Sequence, residues 1–338
     1  MLEQPTTAYA DPAMQFQVIP RPVAAPRLRM LRLSVTDRCN FRCRYCMPSE
    51  GVPKLAHKDL LPLEEMARLV GWLSSCAGIS SVKLTGGEPL VRKGITDLIA
   101  QLSTIPAIRE ISLTTNGSLL PRMAWSLRKA GLKRVNISLD SLDEERFAFV
   151  TRGGKLQETL NGIAAAWDAG LTPIKLNTVL QRSTWKQEVP RLLDYAAAIG
   201  AEIRFIELMR MGTEREWCNA EFVSVNEVCS GLGLEMFVED AQNRSPARSS
   251  LLKWRGSVIN AGWITPRSHP FCNRCERLRM DARGLVRRCL MDPLTLNLAH
   301  IMETMDNLAV RHEFKRYMAG KARPLAMDSP YAMSQIGG

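Results

Sequence analysis

Leu31-Arg-Leu-Ser-Val-Thr36-Asp-Arg-Cys39-Asn-Phe-Arg-Cys43-Arg-Tyr-Cys46 is a short strand-like run that empties into a cysteine loop. The thiols follow C-x3-C-x2-C spacing, one short of the four that close a cubane iron–sulfur cluster. Three cysteines on a cubane leave one iron open to a ligand that is not protein. A second triplet, Cys272, Cys275 and Cys289, lies far down the chain at C-x2-C-x13-C with the same shortfall. Two such sites in one chain point to chemistry rather than electron storage. Structural zinc is the alternative for each. The first triplet would then call on His57, and the second on a ligand from elsewhere.

Working outward from this stretch, short strands alternate with helix-like runs. Strands are expected at Leu31–Thr36, Ser81–Thr85, Glu110–Thr115, Arg134–Asp140, Ile174–Leu180 and Glu202–Leu208. Helices are expected at about 62–77, 94–104, 119–130, 156–169 and 187–199. Pro62 before Leu63-Glu64-Glu65 suits a first helical turn, and glycines such as Gly78 and Gly200 suit helix ends. Six successive β–α units imply an α/β fold of parallel strands with right-handed crossovers. An open doubly wound sheet and an incomplete (β/α)6 barrel, TIM-like but laterally open, both satisfy this pattern. Polar residues at many strand ends favour the barrel mouth: Gly86-Gly87-Glu88, Thr114-Thr115-Asn116, Ser138, Asp140, Lys175, Asn177, Glu207 and Met209. The rhythm fades after about residue 220. The expected organisation is a mobile N-terminal tail at 1–28, a partial barrel at 29–225, and a C-terminal iron–sulfur subdomain at 226–338 that ends in Gly337-Gly338.

The 338 residues are 46% hydrophobic, enough for a large core. No apolar run reaches membrane-spanning length, and no secretory leader is visible, so the expected location is cytoplasmic. Nine cysteines then read as metal ligands or free thiols, with Cys76, Cys218 and Cys229 as ordinary ones. The net charge of +11 could serve nucleic acid or a polyanionic small molecule. Lys and Arg are scattered and aromatics make up only 6%, so no nucleic-acid-binding module is expected. Arg42 and Arg44 stand between the first thiols and are expected to help keep them ionised.

The run from Cys39 to Cys46 resembles the cluster loop of the radical S-adenosylmethionine (SAM) enzymes. In that family the open iron is chelated by SAM, which is cleaved to a 5'-deoxyadenosyl radical. Gly86-Gly87-Glu88-Pro89 resembles the family's glycine-rich turn, which binds the methionine amino group. Tyr45, Gly87, Ser138 and Met209 match its SAM-contacting positions. With the second triplet, the Arg277-Leu278-Arg279 segment and the Gly-Gly end, the chain resembles the GTP 3',8-cyclase family of molybdenum cofactor biosynthesis. That resemblance implies two [4Fe–4S] clusters, with SAM on the first and the guanine of GTP on the second. It implies GTP contacts from Arg32, Lys83, Thr114, Lys175, Arg277, Leu278 and Arg279. It also implies catalytic parts for Arg277, Arg279, Gly337 and Gly338. The implied reaction abstracts the ribose 3' hydrogen and closes GTP to 3',8-cyclo-7,8-dihydro-GTP. The implied partners are a reducing protein such as flavodoxin or ferredoxin, the following cyclic pyranopterin synthase and a possible second copy. Glu276 departs from the family's pattern, where an asparagine is expected. Rival readings are a peptide-modifying radical SAM enzyme and a nucleic-acid-binding metal protein.

Overall fold

Alternation writes itself into the sheet. In the computed structural model, which describes residues 28–211, 214–239, 248–270, 272, 275–322, 328–329 and 333, six parallel strands follow one another in chain order. They are β1 (Met30–Ser34), β2 (Ser81–Thr85), β3 (Glu110–Thr115), β4 (Arg134–Ser138), β5 (Lys175–Val179) and β6 (Glu202–Ile206). The helices between them are α1 (Leu63–Ala77), α2 (Ile95–Ser103), α3 (Leu120–Lys129), α4 (Glu144–Thr151), α5 (Leu156–Asp168) and α6 (Trp185–Ile199). Leu31, Leu33, Val82, Leu84, Leu113, Val135, Leu176 and Phe205 belong to the buried apolar core. Residues in a strand alternate between faces, so their neighbours Arg32, Lys83, Thr114, Asn136, Lys175 and Arg204 share the opposite one. Strand register sets Arg32 beside Lys83, Lys83 beside Ser112, and Ser112 beside Arg134.

The later chain brings β7 (Arg210–Met211), α7 (Arg215–Ala220), α8 (Val225–Leu232), β8 (Glu235–Glu239), β9 (Arg248–Trp254) and β10 (Ser257–Ile264). It continues through β11 (Arg277–Met280), β12 (Leu285–Arg287), β13 (Leu296–Asn297), α9 (Leu298–Thr304), α10 (Asn307–Met318) and β14 (Asp328–Ser329). β7 and β14 pair in parallel with each other, and the remaining strands lengthen the six-stranded sheet at both edges. β11 pairs in parallel with β1, and β10 in parallel with β6, where Phe205 stacks on Trp263 at 5.1 Å. β12 and β13 extend one side antiparallel, and β9 and β8 the other. The segment around the second triplet therefore belongs to the barrel's own sheet.

α4 is the one helix of this half that the sequence reading passed over. Asp143 caps it by accepting from the Arg146 amide at 2.9 Å, and Glu144 and Glu145 suit its first turn. Gly78 and Gly200 close α1 and α6 in the left-handed conformation, as expected. The expected tail at 1–28, save Leu28, and the Gly337-Gly338 end lie outside the described residues. Among the described residues no helix is long and apolar enough to cross a membrane.

Candidate active site

The first triplet sits on the loop leaving β1, and the end of α4 holds it. Arg42 and Arg44 donate their amides to the carbonyls of Thr151 and Val150, both at 3.0 Å. Phe41 meets Phe147 edge to face at 6.2 Å. The Cys46 amide reaches back to the Cys43 carbonyl at 2.8 Å, curling the loop around its own thiols. Arg44 does not serve the thiolates as expected. Its guanidinium is held 4.5 Å from the Phe149 ring and 5.1 Å from that of Trp217. Burial pushes the Cys39 thiol up to about 12, with nearby Glu88 and Cys46 adding to it. Burial likewise raises the Cys43 thiol well above the ordinary range, assisted by Asp140, Cys46 and Cys39.

Such thiols ionise when a metal takes the proton's place. Among the described residues no three His, Cys, Asp or Glu side chains converge on a single-ion position. Yet Cys39, Cys43 and Cys46 lie close enough to repel one another as thiolates. A cubane binds each thiolate at a different iron, so a looser triangle of sulfurs suits it. Cys272, Cys275 and Cys289 are likewise within electrostatic reach of one another. Cys275 lies two residues before β11 and Cys289 two after β12, and the antiparallel pairing of these strands brings those ends together. Both donor sets fit the clusters expected of them.

Around the first triplet the glycine-rich turn packs on the chain leading into Cys39. A Cβ on Gly87 would lie 2.3 Å from the Arg38 carbonyl oxygen, so only glycine fits. Its amide donates to the Thr36 carbonyl at 2.8 Å, and the Glu88 amide to that of Arg38 at 2.8 Å. Glu88 accepts from the Thr115 hydroxyl and the Asn116 amide, each at 2.8 Å. Asn116 Nδ2 then donates to Asn40 Oδ1 at 2.8 Å, inside the cysteine loop. Asn40 is a residue the sequence reading missed, and its place between two thiols was the available signal. Tyr45 donates its hydroxyl to Asp140 Oδ2 at 2.6 Å, while Asp140 Oδ1 accepts from the Val179 amide. Ser138 ends β4 in register with Asn177.

Met209 joins Met211, Met291 and Met333 in a small apolar cluster that also includes Cys289. The Met333 amide donates to the Cys46 carbonyl at 3.1 Å, so this cluster links the surroundings of the two triplets. Glu207, another strand-end candidate, is fully occupied by structure. It accepts from the amides of Val225, Arg267 and Ser268 and from the Ser268 hydroxyl.

The row of inward side chains is strongly cationic. Arg279 pairs in register with Arg32, and Lys83 feels Arg134, Arg32 and Arg204. Lys175 and Arg204 share the carboxylate of Glu202, the latter at 2.7 Å, and Arg134 pairs with Glu110 at 2.5 Å. Arg134 and Arg204 were not picked out from sequence, although each follows the same alternation as its neighbours. Lys83 is only 5% exposed, and burial, then its cationic neighbours, hold its ammonium well below the ordinary lysine range. Lys83 Nζ, Thr114 Oγ1 and Asn177 Oδ1 are buried without a hydrogen-bond partner. Buried polar atoms left unpaired are costly, and here they face a common interior that an anionic, hydroxyl-bearing ligand would satisfy. Leu278 points its side chain into the apolar core, so only its backbone is available to a ligand. The Glu276 carbonyl accepts from the amides of Arg29 and Met30, and the residue borders a surface cleft with Arg109 and Ser80.

The parallel partial barrel with a three-cysteine loop after its first strand defines a radical SAM enzyme, and the model of the Radical SAM superfamily matches residues 33–196. The model Molybdenum Cofactor Synthesis C matches residues 201–326. The chain belongs to the GTP 3',8-cyclase family. The GTP 3',8-cyclase of Moorella thermoacetica is 44% identical over 324 residues, covering 92% of this chain and 98% of that protein. That of Geobacter sulfurreducens is 39% identical, covering 92% and 97%. Among solved structures, Streptococcus suis SuiB bound to its precursor peptide SuiA superposes with a TM-score of 0.64 at 14% identity, over 88% of this chain and 67% of that one. At that identity the likeness is one of fold.

Glu88 offers a test of how the turn is held. Burial raises its carboxyl to about 7, against an ordinary 4.5, outweighing the bonds from Asn116, Leu90 and Thr115. A raised carboxyl stabilises the folded state while protonated. That contribution is complete below about 4.5 and is lost as pH rises through about 7. Thermal unfolding under anaerobic conditions should therefore show wild type losing stability relative to Glu88→Gln across this window. A difference independent of pH would contradict the assignment.

Proposed function

We propose that this chain closes GTP to 3',8-cyclo-7,8-dihydro-GTP, the first step of molybdenum cofactor biosynthesis. The observation that carries the reading is the cationic interior holding the unpaired Lys83 Nζ, Thr114 Oγ1 and Asn177 Oδ1. Cys39, Cys43 and Cys46 would hold one [4Fe–4S] cluster, and Cys272, Cys275 and Cys289 the other. When bound, the clusters supply the electron that cleaves SAM, hence the radical that takes the ribose 3' hydrogen, and an open iron for the guanine.

The chain's own residues provide placement. Gly87 brings backbone close to the first triplet for the methionine end of SAM, with Tyr45, Ser138 and Met209 around the remainder. Arg32, Lys83, Lys175, Arg277 and Arg279 neutralise the triphosphate, and the Arg277–Arg279 strand serves both phosphate and the reacting sugar. Thr114 and the Leu278 backbone complete the nucleotide contacts. Holding the guanine at one cluster and SAM at the other supplies the orientation that ring closure demands. The electron comes from a small reducing protein such as flavodoxin or ferredoxin in the cytoplasm, and the product passes to the following cyclic pyranopterin synthase.

Anaerobic incubation with GTP, SAM and a reductant tests this directly. The expected products are 5'-deoxyadenosine and a cyclised nucleotide in proportion. SAM cleavage that ignores GTP would overturn the reading. Lys83→Met should raise KM for GTP roughly 10–100-fold, the worth of one charged hydrogen bond. The same variant should melt no lower than wild type without GTP, because the lysine is buried at a cost there. An unchanged KM would remove Lys83 from the site.

A further inference from the structure

Lys321 lies in the short 3-10 turn Ala319–Ala322 that follows α10, remote in sequence from either cysteine triplet. Its ammonium nevertheless reaches the second one. Nζ donates to the Arg277 carbonyl at 2.6 Å and to the Arg288 carbonyl at 2.6 Å, and it lies 3.9 Å from Cys275 Sγ. An ammonium has three donors and no acceptor. Here the three donors meet three acceptors, and one of them is a cysteine sulfur. The two carbonyls belong to the first residue of β11 and to the residue just before Cys289. One side chain therefore ties together the two segments that carry Cys275 and Cys289.

The turn is itself pinned in place. Arg288 forms a forked pair with Asp292, at 2.5 and 3.1 Å, and donates to the Tyr317 carbonyl at 3.2 Å. A Cβ on Gly320 would fall 1.8 Å from Arg288 Nη1, so the turn closes on the guanidinium only because residue 320 is glycine. A lysine that merely capped two carbonyls would be a staple. The third donor, aimed at the sulfur, adds a role toward whatever that sulfur binds.

We propose that Lys321 is a positioning residue for the second cluster, clamping its two cysteine-bearing segments and donating a charged N–H···S bond to Cys275. The inference rests on Cys272, Cys275 and Cys289 being cluster ligands. A fixed cation and an N–H···S bond stabilise the more negative, reduced cluster, and so raise its potential.

The test uses the full chain carrying both clusters, with Lys321→Arg and Lys321→Gln beside wild type. Iron content separates the two ideas. About eight irons per wild-type chain are needed for two cubanes, and about four would remove the cluster assignment itself. Redox titration followed by electron paramagnetic resonance then reads Lys321. The expected result is a more negative potential for the second cluster in Lys321→Gln, near wild-type behaviour in Lys321→Arg, and no change at the first cluster. Faster loss of iron to a chelator from the second site of Lys321→Gln, again rescued by arginine, supports the clamp. Equal potentials and equal iron loss in all three proteins would overturn it, as would equal shifts in both variants.

Discussion

Removing Gly337 and Gly338 should reduce cyclisation roughly 100-fold or more, while iron content, SAM binding and fold remain those of the full chain. The last described residue gives this its physical ground. Met333 is bonded to the Cys46 carbonyl and packs in the methionine cluster beside Cys289, so this residue touches the surroundings of both triplets. Five further residues could span at most ~17 Å when extended. Glycines thread a narrow space with little steric cost and present bare peptide groups to a ligand. The role proposed for these glycines is in placing the nucleotide and not in supporting the core. Anaerobic product analysis with parallel iron determination checks the expectation. Normal turnover by the truncated chain would refute it.

Replacing Cys272, Cys275 and Cys289 together by serine should lower iron from about eight to about four per chain. SAM should still be cleaved, but with no cyclised nucleotide. The converse replacement of Cys39, Cys43 and Cys46 should leave about four irons and no 5'-deoxyadenosine at all. The pair of variants separates radical generation from substrate placement, because each triplet has a different backbone origin and a different set of neighbours. Cyclised product from the first variant would show that the second triplet only supports the fold.

The strands were legible because half-buried parallel strands leave their alternation in the residues. Ser81–Thr85 and Glu110–Thr115 have the ends expected of them, three others fall inside their expected ranges, and β1 starts one residue before its own. α4 was missed because it is short and its apolar residues, Phe147 to Val150, run together without a helical period, although Asp143-Glu144-Glu145 announced a helix start. What could not be read was the return of the late chain. Nothing local in Arg277–Met280 says that it pairs with Met30–Leu33, a contact across most of the chain. The six cysteines were visible from spacing alone. Their supports were not, since Asn40 and Asn116 meet only after folding, and the arginine between the thiols turns to Phe149 and Trp217 instead. The inward cations follow from alternation, whereas their shared carboxylates, Glu110 and Glu202, depend on strand register.

The parallel pairing of β1 with β11 has a further consequence. β1 delivers the first triplet from its C-terminal end, and β11 begins just after Cys275. The two triplets thus flank opposite ends of one strand pair, about 13 Å long at ~3.3 Å per residue over its four paired positions. Peptide hydrogen bonds, not a hinge, act as the ruler between them. In the proposed reaction SAM would sit at one end of this interval and GTP at the other, so the ladder would fix how far apart the two are held. That spacing belongs to the backbone ladder rather than to any one side chain.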